Sequence, residues 1–330
     1  AFVDAARLSN PQKAFPLDVF FCEDCAHVQL LDVLDPEILF ADYVYVSGTS
    51  PVFIEHFRAY AEAIANTYAS KSPGTMVLDI GSNDGTLLSE FKALGFSVLG
   101  VDPARDIAAR ATAAGIETLP TFFSHDLART LRQERGAAQI ITANNVFAHA
   151  DDLVGITKGI CSVLADDGVF VFEVSYLVDV FEKTLFDTIY HEHLAYHAVK
   201  PLRRFFEVHG MELIAAERVD SHGGSLRGIA QLKGGPHKVD SSVAELVELE
   251  ESLGLDRAET LKAFGTKIDQ IKSELIAVLQ KLKSEGCSIA AFGAPAKATT
   301  LMYHFDIGPN FIDFIVDDSP LKQGLYSPGM

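Results

Sequence analysis

The chain has 330 residues, a length that corresponds to about two domains. Hydrophobic residues make up 48% of it and charged residues 22%, which is the composition of a protein with a large buried core. No uncharged apolar stretch reaches the ~18 residues that cross a bilayer, and no secretory signal is visible near the N-terminus. The net charge of −18 argues against a broad nucleic-acid-binding surface. We therefore expect neither a membrane nor a nucleic acid as a partner.

Cysteine usage indicates a reducing compartment. Cys22 and Cys25 form a C-x2-C pair, whereas Cys161 and Cys287 stand alone in apolar stretches. Because this pattern is not a disulfide framework, we expect a cytoplasmic protein. Two thiolates at this spacing can bind one metal from a tight turn, so the pair is typical of half a tetrahedral zinc site. A redox pair and two reduced thiols are the alternatives.

Apolar periodicity divides the chain into a loop-rich N-terminal lobe and a regular central part. The lobe ends in a predicted helix over residues 51–68. From residue 75 onward, short apolar strands alternate with helices of crossover length, which predicts a parallel sheet. The predicted strands are 76–80, 96–101, 116–119, 138–142 and 168–174, and the predicted helices are 85–94, 104–114, 124–134 and 151–164.

Two further strands, 212–219 and 226–232, are separated only by a few turn residues. This spacing is too short for a crossover helix, so the two strands should pair antiparallel. Five parallel strands followed by an antiparallel hairpin are typical of the seven-stranded, Rossmann-like sheet of class I methyltransferases. Six parallel strands would suit a dinucleotide dehydrogenase. The predicted fold class is therefore α/β, with a class I methyltransferase sheet.

The pattern changes again after this sheet. Residues 241–285 are typical of amphipathic helices, and a strand–turn–helix–strand unit over 288–316 indicates a second, Rossmann-like domain. We expect an N-terminal lobe, a cofactor-binding domain and a substrate domain, with bounds 1–68, 69–235 and 236–330. The second sheet ends before it reaches a useful size, so both ends look like those of a fragment. One helical stripe should face inward, with members Ile268, Ile271, Leu275, Val278, Leu279 and Leu282.

The segment VLDIGSNDGT carries the strongest cofactor signal. It places Gly81 and Gly85 at a strand-to-helix turn with G-x-x-x-G spacing, which differs from the G-x-G-x-x-G of dinucleotide sites. Asp79 would repel a pyrophosphate, but it suits the amino group and sulfonium of S-adenosylmethionine. Asp102, at the end of the second strand, can accept hydrogen bonds from both ribose hydroxyls. The predicted cofactor-binding residues of this region are Asp79, Gly81, Ser82, Asn83, Gly85 and Asp102.

Polar residues also follow the fourth strand. Asn144 and Asn145 lie at the edge of the sheet where open α/β sheets bind ligands, so they could contact the cofactor, with His149 projecting toward the substrate. A helix N-cap for the asparagines and a surface position for His149 are the alternatives.

The segment FDTIYHEHLAYH follows the fifth strand. It lacks the zinc-protease motif H-E-x-x-H, because Ala195 occupies the place of the second histidine. His193 and His197 could still share a metal. The close spacing of Tyr190, Glu192 and His193 favours proton transfer instead.

Several segments together resemble one enzyme family, the sugar C-methyltransferases that act on nucleotide-linked 4-keto-deoxysugars. The resemblance covers nearly the whole chain in the family's order, and its motifs YHEH and GAPAK are quite specific. The matching segments are FPLDVFFCEDCAHVQL, DYVYVSGTS, VLDIGSNDGTLL, NNVFAHADDL, FDTIYHEHLAYH, GGSLR, AFGAPAKATTL and VDDSPLKQGLYSPG.

The resemblance implies a zinc-ribbon-like lobe, an S-adenosylmethionine domain and a Rossmann-like C-terminal domain. In such enzymes another cysteine pair precedes the position of Cys22 and completes a structural zinc site with Cys22 and Cys25. The C-terminal domain runs well past a position like Met330. The implied substrate is a nucleotide-linked sugar, with dTDP as the expected carrier.

Methyl transfer to carbon requires a base and a donor to the oxyanion of an enolate. His193 is the predicted base, as the resemblance also implies, and Tyr190 is the predicted donor. Glu192 would orient His193 or position the sugar. The remaining predicted pocket residues are His149 and Tyr43 or Tyr45, and the predicted contacts of the nucleotide are Ser225, Arg227 and Lys297.

Two other functions fit the same sheet. One is an NAD-dependent sugar-nucleotide dehydrogenase, and the other is a non-catalytic protein that binds sugar nucleotides. An O- or N-methyltransferase would not need the enolising cluster at residues 190–193.

Overall fold

A computed structural model describes residues 2–10, 14–40, 48, 51–69, 74–221, 223–320 and 322–327. The predicted pocket tyrosines Tyr43 and Tyr45 lie outside the described residues. The strands are β1 Val19–Phe21, β2 Val28–Leu30, β3 Met76–Ile80, β4 Ser97–Val101, β5 Thr118–Leu119, β6 Ala138–Asn144, β7 Leu164–Ser175, β8 Ala195–Tyr196, β9 Met211–Val219, β10 Ser225–Leu232, β11 Ala290–Phe292 and β12 Phe314–Val316. The α-helices are α1 Pro36–Phe40, α2 Pro51–Tyr68, α3 Thr86–Ala93, α4 Arg105–Ala113, α5 His125–Arg135, α6 Leu153–Val163, α7 Leu177–Glu182, α8 Val199–Val208, α9 Ser241–Ser252, α10 Ala258–Ser284 and α11 Ala296–Phe305.

The central sheet has seven strands in the order β5-β4-β3-β6-β7-β10-β9. Strands β3 to β7 pair in parallel, whereas β10 pairs antiparallel with both β7 and β9. This order confirms the predicted class I methyltransferase fold. The strands next to β3 place Gly100 and Thr142 opposite Asp79, so their polar ends meet at one edge of the sheet.

Both faces of the sheet are covered, because its inner strands are apolar on both sides. Val77 and Leu78, which point to opposite faces of β3, are both fully buried. Helix α2 packs on the same face as Val77 and buries Phe57 and Ile64 there. A boundary at residue 68 would therefore separate α2 from the sheet it covers, and the predicted domain bounds stay predictions.

The N-terminal lobe contains a small antiparallel sheet that periodicity did not predict. Strands β1 and β2 pair around the Cys22–Cys25 turn, and β8 pairs with the other side of β2. Each strand has two or three residues, too few to show alternation. The third strand comes from a distant part of the chain, directly after the YHEH segment. The lobe is thereby joined to the residues that follow YHEH.

The C-terminal region forms the predicted strand–turn–helix–strand unit, in which β11 and β12 pair in parallel. Its core is made by α10, α11 and the loop before β12, with Ile268 and Phe305 buried. The predicted apolar stripe is wrong at one position, because the side chain of Val278 is 54% exposed. Among the described residues, no helix combines the length and the apolar character that a membrane crossing needs.

Glu250 joins α9 to the central domain. Its buried carboxylate accepts hydrogen bonds from the backbone N–H of Val199 at 2.6 Å and of Lys200 at 2.9 Å, and from the hydroxyl of Tyr176 at 2.7 Å. The first two donors belong to the first turn of α8, where N–H groups lack partners within the helix.

We expect Glu250→Ala to lower the free energy of unfolding by about 3 kcal/mol, because it leaves buried donors unpaired. Urea denaturation followed by circular dichroism measures this change. Glu251→Ala is the matched control: Glu251 is half-exposed and binds only the Lys200 side chain, so its loss should cost ~0.5 kcal/mol. Equal losses for the two variants would contradict this account of α9.

Candidate active site

A cavity of about 1030 Å³ opens at the carboxyl edge of the central sheet. This is the edge at which open α/β sheets bind ligands, since the strand ends and their following loops converge there. Its wall comes from the ends of β3, β4, β6 and β7, from the first turns of α2, and from the loops that follow these strands. The loop before β8 and the start of α11 complete it.

The turn after β3 brings backbone close to the cavity. Gly81 has φ +69°, and a side chain there would collide with Val146 Cγ2, so the position requires glycine. Its N–H donates to the carbonyl of Val101 at 2.7 Å, which ties the turn to β4. Ser82 and Asn83, which are predicted to bind the cofactor, follow at the cavity wall. The hydroxyl of Ser82 is buried without a hydrogen-bond partner in the described part of the chain.

Gly85 permits the turn into α3. It lies at the start of this helix with φ +77°, and a side chain there would meet Ile116. Its neighbours Asp84 and Thr86 belong to the described cavity wall, whereas Gly85 itself does not. A role of Gly85 in cofactor binding stays a prediction.

Asp79 points into the cavity from a buried position. Its Oδ1 accepts a hydrogen bond from Thr142 Oγ1 at 2.6 Å. Burial raises the pKa of Asp79 to about 7, an effect that the hydrogen bond from Thr142 only partly offsets. An ionised Asp79 is therefore costly in the free protein, and a bound cation would offset that cost.

Asp102 is held by backbone at the end of β4. Its Oδ2 accepts the N–H of Asn83 and its Oδ1 accepts the N–H of Ala104, both at 2.8 Å. Burial raises the pKa of Asp102, while these two hydrogen bonds act against that shift. The carboxylate lies at the cavity wall, and each oxygen retains acceptor capacity for a ligand hydroxyl.

The cavity is strongly acidic. Among the described wall residues, Lys297 is the single lysine and there is no arginine. Such a field favours the binding of a cationic ligand. The carboxylates in the wall are Asp35, Glu37, Asp79, Asp84, Asp102, Asp126, Asp151 and Asp152.

Asp84 occupies the N-terminus of α3, where a dinucleotide fold would place a pyrophosphate. Its carboxylate accepts the N–H of Thr86 at 3.2 Å and the hydroxyl of Thr86 at 2.6 Å. It also accepts the N–H of Gly48 at 2.9 Å. The helix terminus is thus already capped by a negative charge, which disfavours NAD.

The loop before β8, residues 186–193, brings a base and a donor together. His193 Nδ1 lies 2.8 Å from the carbonyl of Thr188, and a carbonyl only accepts, so Nδ1 carries the proton. In the neutral ring, Nε2 is then an acceptor, and the hydroxyl of Tyr190 donates to it at 3.1 Å. Burial, followed by the charges of Glu192 and Asp187, raises the pKa of Tyr190 and keeps its hydroxyl protonated.

His149 reaches the same place from the loop after β6. Its ring stacks on His193 with 5.1 Å between the centroids and on Phe40 with 5.7 Å. Three of the predicted catalytic residues, Tyr190, His193 and His149, therefore line one cavity. The hydrogen bonds described for the His193 ring go to Thr188 and Tyr190. Orienting His193 or positioning the sugar stays the predicted role of Glu192.

His193 and His197 do not form a shared metal site. His197 is fully buried on the other side of β8, with Nε2 3.3 Å from the carbonyl of Phe147, and its ring packs against Phe147. His193 faces the cavity instead. The segment is a turn followed by a strand, so residues four apart do not share a helical face.

The asparagines after β6 line the cavity, as predicted. Asn145 adopts a left-handed conformation with φ +55° and donates its N–H to the carbonyl of Glu173 at 2.7 Å. The amide oxygen and nitrogen of Asn144 are buried without a hydrogen-bond partner among the described residues. Together with the Ser82 hydroxyl, they are polar atoms that a bound ligand could satisfy.

Ser225 and Arg227 do not contact the cavity, which corrects the prediction that they bind substrate. The Ser225 hydroxyl is fully buried and donates to the carbonyl of Ser221 at 3.0 Å. Arg227 is also buried, and its Nε donates to Glu173 at 2.7 Å while its Nη1 donates to Glu217 at 2.7 Å. Both side chains satisfy groups of the protein itself. Neither belongs to the described cavity wall.

Lys297 lies in the first turn of α11 and at the cavity wall, and its contact with the nucleotide stays a prediction. Its Nζ is 3.6 Å from Asp187 Oδ2, and its side chain is 45% exposed. A pairing this long and exposed is weak, so an anionic ligand could compete for the ammonium group.

Part of the wall comes from residues that the sequence did not single out. These are Phe53 and Phe57, in the first two turns of α2, and the segment 122–126, which follows β5 and includes the start of α5. A signal for this segment existed, because it follows a strand at the same sheet edge as Asp79 and Asp102. The sequence gives no signal that the aromatic residues of α2 line a cavity, because an apolar stripe on a helix is equally typical of packing in a core.

The Cys22–Cys25 turn fits half of a zinc site. The N–H of Ala26 donates to the carbonyl of Cys22 at 2.8 Å, and backbone hydrogen bonds from Cys25 and Asp24 lower the pKa of Cys22. Within the described residues, no group of three or more His, Cys, Asp or Glu side chains could bind a metal. Cys22 and Cys25 would be two of the four ligands that a structural zinc ion requires, and their role as zinc ligands stays a prediction.

Family models match consecutive parts of the chain: a zinc binding domain over residues 1–40, a methyltransferase domain over 53–216 and a C-methyltransferase C-terminal domain over 220–330. The C-methyltransferase NovU from Streptomyces niveus is 33% identical over 315 residues, which cover 96% of this chain and 75% of NovU.

Solved structures with a similar fold include two methyltransferases. The CurJ carbon methyltransferase is 12% identical with a TM-score of 0.42, and the match covers 56% of this chain and 57% of CurJ. Magnesium protoporphyrin IX methyltransferase from Synechocystis PCC 6803, solved with bound SAM, is 15% identical with a TM-score of 0.38, covering 54% and 76% of the two chains.

The seven-stranded sheet and the family matches define a class I methyltransferase. More closely, the chain belongs to the C-methyltransferase family, and it is an S-adenosylmethionine-dependent C-methyltransferase.

Proposed function

We propose that this enzyme methylates a carbon next to the ketone of a nucleotide-linked 4-keto-deoxysugar, with dTDP as the carrier. The observation that carries the proposal is the pairing of Tyr190 with His193 in the same cavity as Asp79 and Asp102. Methyl transfer to oxygen or nitrogen would not require a base and a hydroxyl donor aimed at one point. A carbon acid beside a ketone does require both.

The cofactor-binding role is assigned to the loops after β3, β4 and β6. S-adenosylmethionine supplies an electrophilic methyl group when it is bound. Asp79 would hold its ammonium and sulfonium charges, and Asp102 would accept its ribose hydroxyls. The unpartnered polar atoms of Ser82 and Asn144 support this assignment, as does the acidic wall.

His193 Nε2 is the proposed base. It accepts the proton of the sugar carbon, so a C–H bond breaks and an N–H bond forms while the electron pair moves to the carbonyl oxygen. The Tyr190 hydroxyl, which donates to Nε2 in the free protein, turns to donate to that oxygen. The carbonyl of Thr188 stabilises the imidazolium through the Nδ1 proton. With the cofactor bound, the enolate carbon would form a bond to its methyl group, while the methyl–sulfur bond would break and S-adenosylhomocysteine would leave.

The test is turnover with labelled S-adenosylmethionine and a panel of sugar nucleotides. Radioactive methyl should appear on carbon for a dTDP-4-keto-deoxysugar, and the sugar reduced to a 4-hydroxyl is the matched control that should not react. Calorimetry should detect binding of S-adenosylhomocysteine but not of NADH, because Asp84 occupies the site of a pyrophosphate. Tight NADH binding would instead favour a dehydrogenase, and label on oxygen would contradict the proposal.

Lys297 should contribute to binding of the substrate's diphosphate. We expect Lys297→Met to raise the KM for the sugar nucleotide about 10- to 100-fold, since a charge-assisted hydrogen bond of about 1.5–3 kcal/mol is lost. The dissociation constant of S-adenosylhomocysteine should stay the same. Lys233→Met, at an exposed position far from α11, is the control. An unchanged KM in Lys297→Met would remove this residue from the substrate site.

A further inference from the structure

The catalytic loop, residues 186–193, is anchored at its two ends by different parts of the protein. At its start, Phe186 is buried in the core of the C-terminal region, where its ring stacks on Phe305 with 5.1 Å between the centroids. Just after its end, the N–H groups of Leu194 and Ala195 donate to the carbonyl of Ala148 in the central domain at 2.9 and 3.1 Å. The position of the loop therefore depends on its contacts with both the C-terminal region and the central domain.

Helix α11 makes two polar contacts with the middle of this loop. The hydroxyl of Thr300 donates to the carbonyl of Ile189 at 2.7 Å. One turn earlier, Lys297 lies 3.6 Å from Asp187. The contact of Thr300 is short and half-buried, whereas that of Lys297 is long and exposed. Thr300 is thus the stronger of the two polar links between α11 and the loop.

Thr300 binds the carbonyl of Ile189, and Ile189 lies between the two residues that hydrogen-bond to the His193 ring, Thr188 and Tyr190. The carbonyl of Thr188 accepts the Nδ1 proton of His193, and the peptide bond of Ile189 leads directly into Tyr190. Fixing the Ile189 carbonyl fixes this peptide plane. This plane leads directly into Tyr190 and is separated from the Thr188 carbonyl only by the φ and ψ angles of Ile189. Fixing it therefore restricts how far the Tyr190 hydroxyl can move from His193 Nε2, which lies 3.1 Å away.

We propose that Thr300 is a positioning residue for the enolisation step, through which the C-terminal region holds Tyr190 and His193 in register. This inference rests on the proposed function for the identity of the reacting residues. Thr300 itself is not in the described cavity wall and does not need to touch the substrate. Among the described residues, no other donor pairs with the Ile189 carbonyl, so the loop would shift to find another partner once this hydroxyl is removed.

The experiment compares Thr300→Val, which keeps the shape and removes the donor, with Thr300→Ser, which keeps the donor. Because a misplacement of about 1 Å can cost ~100-fold in rate, we expect Thr300→Val to lower kcat by 10- to 100-fold. The KM for the sugar nucleotide and the dissociation constant of S-adenosylhomocysteine should change less than about twofold. Thr300→Ser should recover most of the lost kcat. Thr266→Val is the matched control, because the Thr266 hydroxyl binds only the carbonyl of Lys262 in its own helix.

A second readout does not depend on turnover. Hydrogen–deuterium exchange of the peptide covering residues 186–194 should be faster in Thr300→Val than in the wild type, and unchanged in Thr266→Val. Faster exchange together with a lower kcat and rescue by serine supports the positioning role. Unchanged exchange, an unchanged kcat, or equal losses in the serine variant would overturn it. If the wild type reacts with no 4-keto sugar nucleotide, the proposed function fails, while the exchange measurement still decides whether Thr300 holds the loop.

Discussion

Replacing His193 with asparagine is expected to lower the rate of methyl transfer by about 10²–10⁴-fold, the usual cost of removing a general base. Asparagine can still donate to the carbonyl of Thr188, but it has no nitrogen that accepts a proton. Exchange of the substrate's C–H hydrogen with heavy water, followed by NMR in the presence of S-adenosylhomocysteine, should fall by a similar factor. The dissociation constant of S-adenosylhomocysteine should stay within about threefold, because the predicted cofactor contacts lie on other loops.

His191→Asn is the matched control for this variant. His191 lies two residues away in the same loop, and its ring donates to the carbonyl of Pro16 outside the cavity. Its replacement should leave kcat within about threefold of the wild type. Near-full turnover of His193→Asn at saturating cofactor would show that another group is the base, and the roles of Tyr190 and His149 would then need reassignment.

Affinity for S-adenosylmethionine is expected to depend on pH through Asp79. Burial raises the pKa of this carboxyl to about 7, above its value in the unfolded chain, so its ionisation in the free protein is unfavourable and destabilises the fold as pH rises. A bound sulfonium and ammonium favour the ionised form. Below pH 7, binding must release a proton from Asp79, and the affinity should fall by up to about tenfold for each pH unit.

Calorimetry at pH 6 and pH 8, in buffers of different ionisation enthalpy, measures both the affinity and the proton released. Asp79→Asn should bind about 10–100-fold more weakly at pH 8, because a buried charge-assisted contact is lost. The amino group of the ligand also titrates, but it does so with both proteins. The difference in pH dependence between the wild type and this variant therefore gives the contribution of Asp79 to the affinity. Asp106→Asn, on the exposed side of α4, should bind as the wild type does. The same pH dependence in Asp79→Asn and the wild type would remove Asp79 from the cofactor's charges.

The central sheet could be predicted from the sequence because its signals are local and repeated. Continuous apolar strands such as Met76–Ile80, separated by helices of crossover length, leave few topologies once right-handed crossovers are required. The short gap before Ser225–Leu232 was enough to identify the antiparallel hairpin. The sheet of the N-terminal lobe could not be predicted, because Ala195–Tyr196 joins it from a remote segment and is too short for a pattern.

At the candidate site, the residues that follow strand ends could be predicted, whereas the hydrogen-bond and ion-pair partners of polar side chains could not. Asp79, Asp102 and Asn144 follow from the rule that ligands bind at the carboxyl edge of the sheet. Arg227 was misassigned because the charge of a side chain does not show which neighbour neutralises it, and Glu173 lies 54 residues away in the chain. The contact of Thr300 with Ile189 spans 111 residues and has no sequence signature.

The most direct test of the account is a crystal structure with both S-adenosylhomocysteine and a dTDP-4-keto-deoxysugar bound. We predict the sulfur of the homocysteine and Nε2 of His193 facing the same sugar carbon, with the Tyr190 hydroxyl on the ketone oxygen and the amino group of the homocysteine beside Asp79. A sugar whose ketone lies away from Tyr190, or a sulfur directed to another wall of the cavity, would contradict the account.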